Sequence, residues 1–126
     1  MKKYLDKNVY EAALERIEYS FKHFENVLVA FSGGKDSGVL LNLAYQYAFD
    51  NGLLHKLAMY HIDYEAQYEM TTRYVTDTFE AFEGIRKYWI CLPIAAQCAV
   101  NMTNPGVWFP WEEAEKEIWV RPMPGL

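Results

Sequence analysis

The chain has 126 residues, enough for one domain that buries roughly two thirds of its unfolded surface. Hydrophobic residues make up 52% and charged residues 23%, as in ordinary globular domains. The net charge of −5 argues against broad binding to nucleic-acid phosphates, and no apolar run approaches the roughly 20 residues of a membrane helix. A polar segment follows Met1, and Cys91 and Cys98 fit neither a disulfide framework nor a zinc motif. We therefore expect a cytoplasmic protein with free thiols.

The first predicted element is an amphipathic helix over about residues 9–23. Asn8 suits the N-cap position, and Glu11 three residues later completes the pattern of a capping box. Apolar residues then recur at helical spacing and predict the face that packs on a sheet. They are Tyr10, Leu14, Ile17, Phe21 and Phe24.

The centre of the sequence is a strand, a tight loop and a helix. Val27–Phe31 is apolar and too short for a helix, and Ser32-Gly33-Gly34-Lys35-Asp36-Ser37 follows it. A helical pattern then runs from about Asp36 to Phe49, with Val39, Leu40, Leu43, Ala44 and Tyr47 predicted to face inward. Such a junction directs unpaired backbone N–H groups and the positive end of the helix dipole to one point. The two glycines permit a positive φ and a close approach, so this stretch predicts a phosphate-binding loop.

The following elements alternate in the same way. Leu57–Ile62 is predicted as the second strand, residues 66–83 as the third helix and Ile85–Leu92 as the third strand, with Gly52 and Gly84 ending the helices. Strand, helix and strand in this order imply right-handed crossovers and parallel pairing. Asp63 directly follows the second strand, and ligands of open α/β sheets bind beyond the carboxyl ends of strands.

The pattern becomes irregular after Pro93. Ala95–Val100 is predicted as one or two helical turns, Asn104-Pro105-Gly106 as a turn and Glu112–Glu117 as a short helix before an extended end. Between them lies a dense aromatic cluster, whose members are Trp108, Phe109, Pro110 and Trp111. The cluster and an exposed strand edge favour a homo-oligomer or a partner protein, although these aromatic residues would equally complete a compact core.

The loop Ser32–Ser37 resembles the pyrophosphate loop of the PP-loop ATP pyrophosphatase superfamily. It departs from the Walker A pattern and from the three-glycine dinucleotide fingerprint. Within that superfamily the chain most resembles the branch similar to phosphoadenosine phosphosulfate (PAPS) reductases, through His61-Ile62-Asp63, Tyr68 and Thr71. Pro110-Trp111 and the segment Trp119–Pro124 resemble the proteins of this branch that are described as co-activators of prophage gene expression. The resemblance implies that this chain would cover their N-terminal portion.

The resemblance implies an α/β fold of the adenine nucleotide alpha hydrolase-like type. We expect a Rossmann-like, doubly wound parallel sheet, small or truncated, with about three strands. The whole chain, residues 1–126, is predicted to be one nucleotide-binding domain. Residues 1–92 would form the βαβαβ core with its N-terminal helix, and residues 93–126 an irregular extension rich in aromatic residues and proline.

The resemblance also implies a function. PP-loop enzymes cleave ATP to AMP and pyrophosphate, and the resemblance implies that this domain does so to adenylylate an unknown substrate. One alternative is a sulfur-transfer enzyme that binds PAPS or adenylyl sulfate. Another is a nucleotide-sensing module without catalysis, which works with a partner protein in prophage gene regulation.

The residues of the predicted site follow from the same resemblance, which implies ATP and Mg²⁺ as the ligands. Lys35 and Asp36 would be catalytic, with Asp36 holding Mg²⁺ against the phosphates, although Asp36 also suits simple pairing with the helix dipole. Asp63 is a further candidate metal ligand, and Arg121 is a candidate contact for a second substrate or for the phosphates. The nucleotide-binding set comprises Ala30, Phe31, Ser32, Gly33, Gly34, Lys35, Asp36, Ser37, Met59, Ile62 and Asp63.

Overall fold

The computed structural model describes residues 6–97 and 106–125. Its main elements alternate in the predicted order. They are α1 (Val9–His23), β1 (Val27–Ala30), α2 (Lys35–Asp50), β2 (Leu57–Ile62), α3 (Glu69–Ala81) and β3 (Arg86–Ile90). Two short strands, β4 (Ala96–Gln97) and β5 (Val107–Trp108), pair antiparallel, and 3₁₀ turns cover Leu54–Lys56 and Glu113–Ile118. Among the residues described, none of the helices has the length and apolar character needed to cross a membrane.

The main sheet is parallel, with the strand order β1-β2-β3. Right-handed crossovers in this order place α2 and α3 on the same face of the sheet. Val29 and Met59, which are partners in the β1–β2 register, accordingly share one buried cluster with Leu41 and Ala44 of α2 and Val75 of α3. The structure is therefore a small Rossmann-like α/β fold with three parallel strands, and the predicted fold class is confirmed.

Local sequence signals explain where several elements begin and end. The Asn8 side chain accepts the Glu11 backbone N–H at 2.9 Å, and the Glu11 carboxylate accepts the Asn8 N–H at 3.1 Å, so the capping box is formed. Gly52 and Gly84 follow the ends of α2 and α3 with φ values of 68° and 77°. The bounds of β2 are as predicted. α3 is shorter than predicted, because residues after β2 form a turn before it starts.

The buried face of α2 differs from the prediction. Gly38, Leu41, Ala44 and Ala48 are buried, whereas Val39 and Leu40 are 60% and 47% exposed. The small residues Gly38, Ala44 and Ala48 let α2 approach the sheet closely. The prediction gave them too little weight because it relied mainly on large aliphatic side chains. On α1 the stripe is likewise narrower than predicted: Ile17 and Phe21 are buried, and Tyr10 and Phe24 are exposed.

The prediction of helical turns over Ala95–Val100 is wrong at Ala96–Gln97. These residues pair as β4 with β5, because an extended partner at Val107–Trp108 satisfies their backbone groups. The remainder of that prediction, Cys98 and most of the predicted turn at residues 104–106 lie outside the described residues. The short helix predicted after the aromatic cluster is present as the 3₁₀ turn Glu113–Ile118.

Candidate functional site

The loop between β1 and α2 turns at a glycine with a positive φ. Gly33 has φ +79°, and a Cβ on it would lie 2.8 Å from Thr71 Cγ2 and 2.9 Å from Val75 Cγ2. Both the backbone angle and the close packing against α3 therefore require glycine here. Gly34 is the N-cap of α2 with an ordinary extended backbone, φ −89° and ψ 163°.

The two serines of the loop hold its shape. Ser37 Oγ donates to the Gly34 carbonyl at 2.9 Å, lies 3.0 Å from Ser32 Oγ and accepts the Ser32 N–H at 3.2 Å. The N-cap residue of α2 is Gly34, so no N-cap side chain accepts a hydrogen bond from the first N–H groups of the helix. The first N–H groups of α2 therefore point, without an intrahelical partner, to the place where the loop opens. The arrangement suits an anion of several oxygens.

Lys35 and Asp36 occupy the first turn of α2, and both are exposed. Lys35 can reach a bound anion as a point charge. In the described part of the chain, no three His, Cys, Asp or Glu side chains converge as a metal site. A single carboxylate would still suit Mg²⁺, which is commonly held by one or two carboxylates together with substrate phosphate oxygens. Asp36 would be the carboxylate beside the phosphates.

Four positions of the predicted nucleotide-binding set lie on β1 and β2 or directly after β1, and they divide into two pairs. Phe31 and Met59 are 1% and 0% exposed, and both belong to the hydrophobic core. Ala30 is exposed and Ile62 is half-buried, so only these two present side-chain surface for a ligand. The Phe31 carbonyl accepts a hydrogen bond from Nδ1 of buried His61 at 2.9 Å, which ties the end of β1 to β2.

Asp63 lies at the carboxyl end of β2, as predicted, and its carboxylate is fully buried. Trp89 Nε1 donates to Oδ2 at 2.8 Å, and the Glu65 N–H donates to Oδ1 at 2.9 Å. The Arg121 guanidinium forms an ion pair with Oδ1. In this arrangement Asp63 binds protein donors, and its role as a metal ligand stays a prediction. The ion pair places Arg121 at the carboxyl end of β2, and its role as a contact for a second substrate or for the phosphates stays a prediction.

Glu65 and Trp89 both donate hydrogen bonds to Asp63, although they were absent from the predicted set. Glu65 is fully buried and has φ +63°, which is uncommon for a residue other than glycine. Its Oε2 accepts the Trp111 N–H at 2.7 Å, and its Oε1 accepts the Val120 N–H at 2.6 Å. The only local signal was a glutamate two residues beyond Asp63, and nothing in that spacing indicates burial.

Cys91 follows β3 and adjoins this group of charges. The pKa of its thiol is raised to about 11, chiefly by burial and also by the Asp63 carboxylate, while the Arg121 guanidinium opposes the rise. The thiol is therefore protonated at neutral pH, which suits a structural cysteine more than a nucleophile.

A glycine loop that opens a helix at the carboxyl edge of a parallel sheet defines a nucleotide-binding class of α/β domain. Residues 26–123 match the phosphoadenosine phosphosulfate reductase domain, and the chain belongs to that family. A curated relative, the uncharacterized protein YbdN of Escherichia coli strain K12, is 37% identical over 119 residues, which are 93% of this chain. The match covers 28% of YbdN, so the chain spans little more than a quarter of that relative.

Proposed function

We propose that the domain binds ATP with Mg²⁺ at the loop Ser32–Ser37 and cleaves it to AMP and pyrophosphate. An oxygen of an acceptor substrate would attack the α-phosphorus, the bond from that phosphorus to the bridging oxygen of the β-phosphate would break, and pyrophosphate would leave. A second nucleophile, such as water, would then attack the adenylylated acceptor, and AMP would leave with the oxygen that joined it to the acceptor. The geometry of Gly33 and the serines, with the open N-terminus of α2, is the observation that carries this proposal. The loop would stabilise the leaving group, as preorganised N–H donors do for developing negative charge.

Lys35 and Asp36 have separate parts in this proposal. Lys35 would place its ammonium group beside the β- and γ-phosphates. Asp36 would hold Mg²⁺, which neutralises phosphate charge and orients the nucleotide. Both residues are exposed at the start of α2, so both are accessible to a ligand at the loop.

The test uses ATP radiolabelled at the α-phosphate, with Mg²⁺ and the intact chain. We expect labelled AMP and an equal amount of pyrophosphate, in larger amount when cell extract supplies an acceptor. ADP with phosphate as products would contradict the proposed cleavage. Nucleotide binding without turnover, even with extract, would favour the nucleotide-sensing alternative.

A second candidate is sulfur transfer with PAPS or adenylyl sulfate as substrate. It is supported by the match of residues 26–123 to the phosphoadenosine phosphosulfate reductase domain. Calorimetry with ATP and with PAPS separates the two candidates, since tighter binding of PAPS would favour the second. Indifference to PAPS would remove it.

Two variants test whether the loop is the binding site. Asp36→Ala removes the proposed Mg²⁺ ligand, and Gly34→Val places a side chain where the phosphates would lie. We expect both to abolish nucleotide binding in calorimetry, because each acts directly at the loop. Both should still fold, since Asp36 is exposed and the backbone of Gly34 has an ordinary negative φ. Binding retained in both variants would show that the nucleotide binds elsewhere.

A further inference from the structure

Glu65 combines two unfavourable features that demand an explanation. Its side chain is fully buried, and a buried carboxylate is costly unless it is hydrogen-bonded. Its backbone has φ +63°, a conformation that persists only when the surroundings impose it. Such positions are common at functional sites, where the strain is part of the mechanism.

The partners of Glu65 all belong to the loop after β2 and to the C-terminal segment. The carboxylate accepts the N–H groups of Trp111 and Val120 at 2.7 and 2.6 Å. The Glu65 carbonyl accepts Arg121 Nε at 3.0 Å, and the Glu65 N–H donates to Asp63 at 2.9 Å. One residue therefore fixes both ends of the segment 111–121 to the carboxyl end of β2.

Arg121 is the side chain that this arrangement orients. Its Nη2 pairs with Asp63, its guanidinium carbon lies 5.1 Å from the centroid of the Trp111 ring, and its carbonyl accepts Trp111 Nε1 at 3.2 Å. The Arg121 side chain keeps 22% of its surface exposed. Arginine that is held at several atoms loses little entropy when it binds an anion.

Arg121 lines two clefts beside α3, with volumes of about 510 and 540 Å³, and the first of them carries further charged residues. Arg73 and Glu69 line the cleft of about 510 Å³ with Arg121, so its lining includes two arginines and one glutamate. Guanidinium groups bind phosphate, sulfate and carboxylate oxygens in a directed, often bidentate way. The cleft lies on α3, whose Thr71 and Val75 pack against Gly33 of the loop. The cleft of about 510 Å³ and the loop Ser32–Ser37 therefore both contact α3.

We infer that Glu65 is a positioning residue that holds Arg121 for an anionic group, a phosphate, sulfate or carboxylate, of a ligand at the carboxyl edge. The inference rests on the proposed nucleotide-binding function and adds to it a contact outside the loop Ser32–Ser37. The anionic group belongs either to the nucleotide or to a second substrate. Glu65 itself acts only through Arg121, because both of its carboxylate oxygens accept backbone N–H groups.

The test compares Glu65→Gln with Glu69→Gln in the intact chain, using calorimetry with Mg²⁺–ATP and with PAPS. Each substitution removes one negative charge near the cleft, which by electrostatics alone would tighten anion binding. Positioning predicts the opposite sign for Glu65→Gln, because an amide NH₂ cannot accept both N–H groups. We expect binding about tenfold weaker for Glu65→Gln, the size of one charge-assisted hydrogen bond, and unchanged or tighter for Glu69→Gln.

Inorganic sulfate, titrated with saturating Mg²⁺–ATP present, identifies the source of the anionic group. If Glu65→Gln loses affinity only in the sulfate titration, the anionic group belongs to a second substrate. If it loses affinity in the nucleotide titrations, the group belongs to the nucleotide. Glu65→Gln that binds all three probes like the wild type would overturn the inference. If the wild-type chain bound no nucleotide at all, the proposed function would fail instead.

Arg121→Lys provides a variant that leaves Glu65 in place. Lysine keeps the charge but cannot contact both the Glu65 carbonyl and the Asp63 carboxylate in the same geometry. We expect the same loss of affinity as in Glu65→Gln, and no further loss when both substitutions are combined, since the two residues act as a unit. Additive losses would overturn the positioning role. Amide hydrogen exchange of Trp111 and Val120 should quicken in Glu65→Gln and stay slow in Arg121→Lys.

Discussion

Gly33 and Gly52 share a left-handed backbone conformation but differ in their surroundings. A Cβ on Gly33 would meet two methyl groups of α3 below 3.0 Å, whereas a Cβ on Gly52 would meet no atom within 4 Å. The pair therefore separates the cost of the backbone angle from the cost of contact with α3. Of the two glycines, only Gly33 belongs to the loop Ser32–Ser37, and its close packing against α3 helps to set the shape of that loop.

We expect Gly33→Ala to destabilise the domain by about 3 kcal/mol and Gly52→Ala by about 1 kcal/mol. Both substitutions place alanine at positive φ, but only the first forces Thr71 and Val75 to move. Urea unfolding measures the two free energies. Nucleotide affinity should fall in Gly33→Ala alone, since the loop shifts with its packing partner. Equal destabilisation of the two variants would contradict this explanation of the loop.

Cys91 supplies a prediction on pH dependence. The pKa of its thiol is raised from 9.0 to about 11, so the reactive thiolate forms only as the pH rises above about 9. In a Cys98→Ser background, alkylation by iodoacetamide should be slower at pH 8 in the folded chain than in urea. The rate should rise with a midpoint near pH 11, and Asp63→Asn should lower that midpoint because it removes a nearby negative charge. A wild-type midpoint at or below 9 would contradict burial of this thiol.

At the scale of elements, local chemistry accounts for most boundaries. β2 was predictable because an apolar run lies between a glycine turn and Asp63, and α1 was predictable because Asn8 and Glu11 form a capping box. The contacts of Glu65 were not predictable, because its partners Trp111 and Val120 are 46 and 55 residues away. Burial of a charged side chain is decided by such distant donors, and no local pattern carries that information.

The capping box itself can be tested. Asn8→Ala removes the acceptor of the Glu11 N–H, and we expect a loss of about 1 kcal/mol in the free energy of unfolding. Glu11→Gln retains an acceptor for the Asn8 N–H and should cost clearly less, since Gln also serves in capping boxes. Thermal unfolding followed by circular dichroism measures both. A larger loss in Glu11→Gln than in Asn8→Ala would show that the charge at the helix start matters more than the hydrogen bonds.

At the scale of the whole molecule, the sheet is covered unequally. The core lies on the face that carries α2 and α3, while Leu28 and Tyr88, which point to the opposite face, are 55% and 47% exposed. Within residues 6–97 and 106–125, β1 pairs with β2 alone, and a groove of about 390 Å³ follows β1 between α1 and α2. Parallel sheets are ordinarily buried on both faces, and unpaired strand edges promote association.

We therefore expect the chain to self-associate as its concentration rises, through the β1 edge and the open face. Leu28→Lys should keep it monomeric at higher concentration, because lysine on an edge strand opposes pairing with another edge. Ile118→Lys is the matched control: this residue is 62% exposed in the 3₁₀ turn Glu113–Ile118 after the aromatic cluster, so the same change tests the C-terminal residues 106–125, called here the aromatic segment, as the interface. Sedimentation velocity over a range of concentrations measures the association of the wild-type chain and of both variants. Association that only Ile118→Lys suppresses would assign the interface to the aromatic segment, and a wild-type chain that stays monomeric throughout would contradict both assignments.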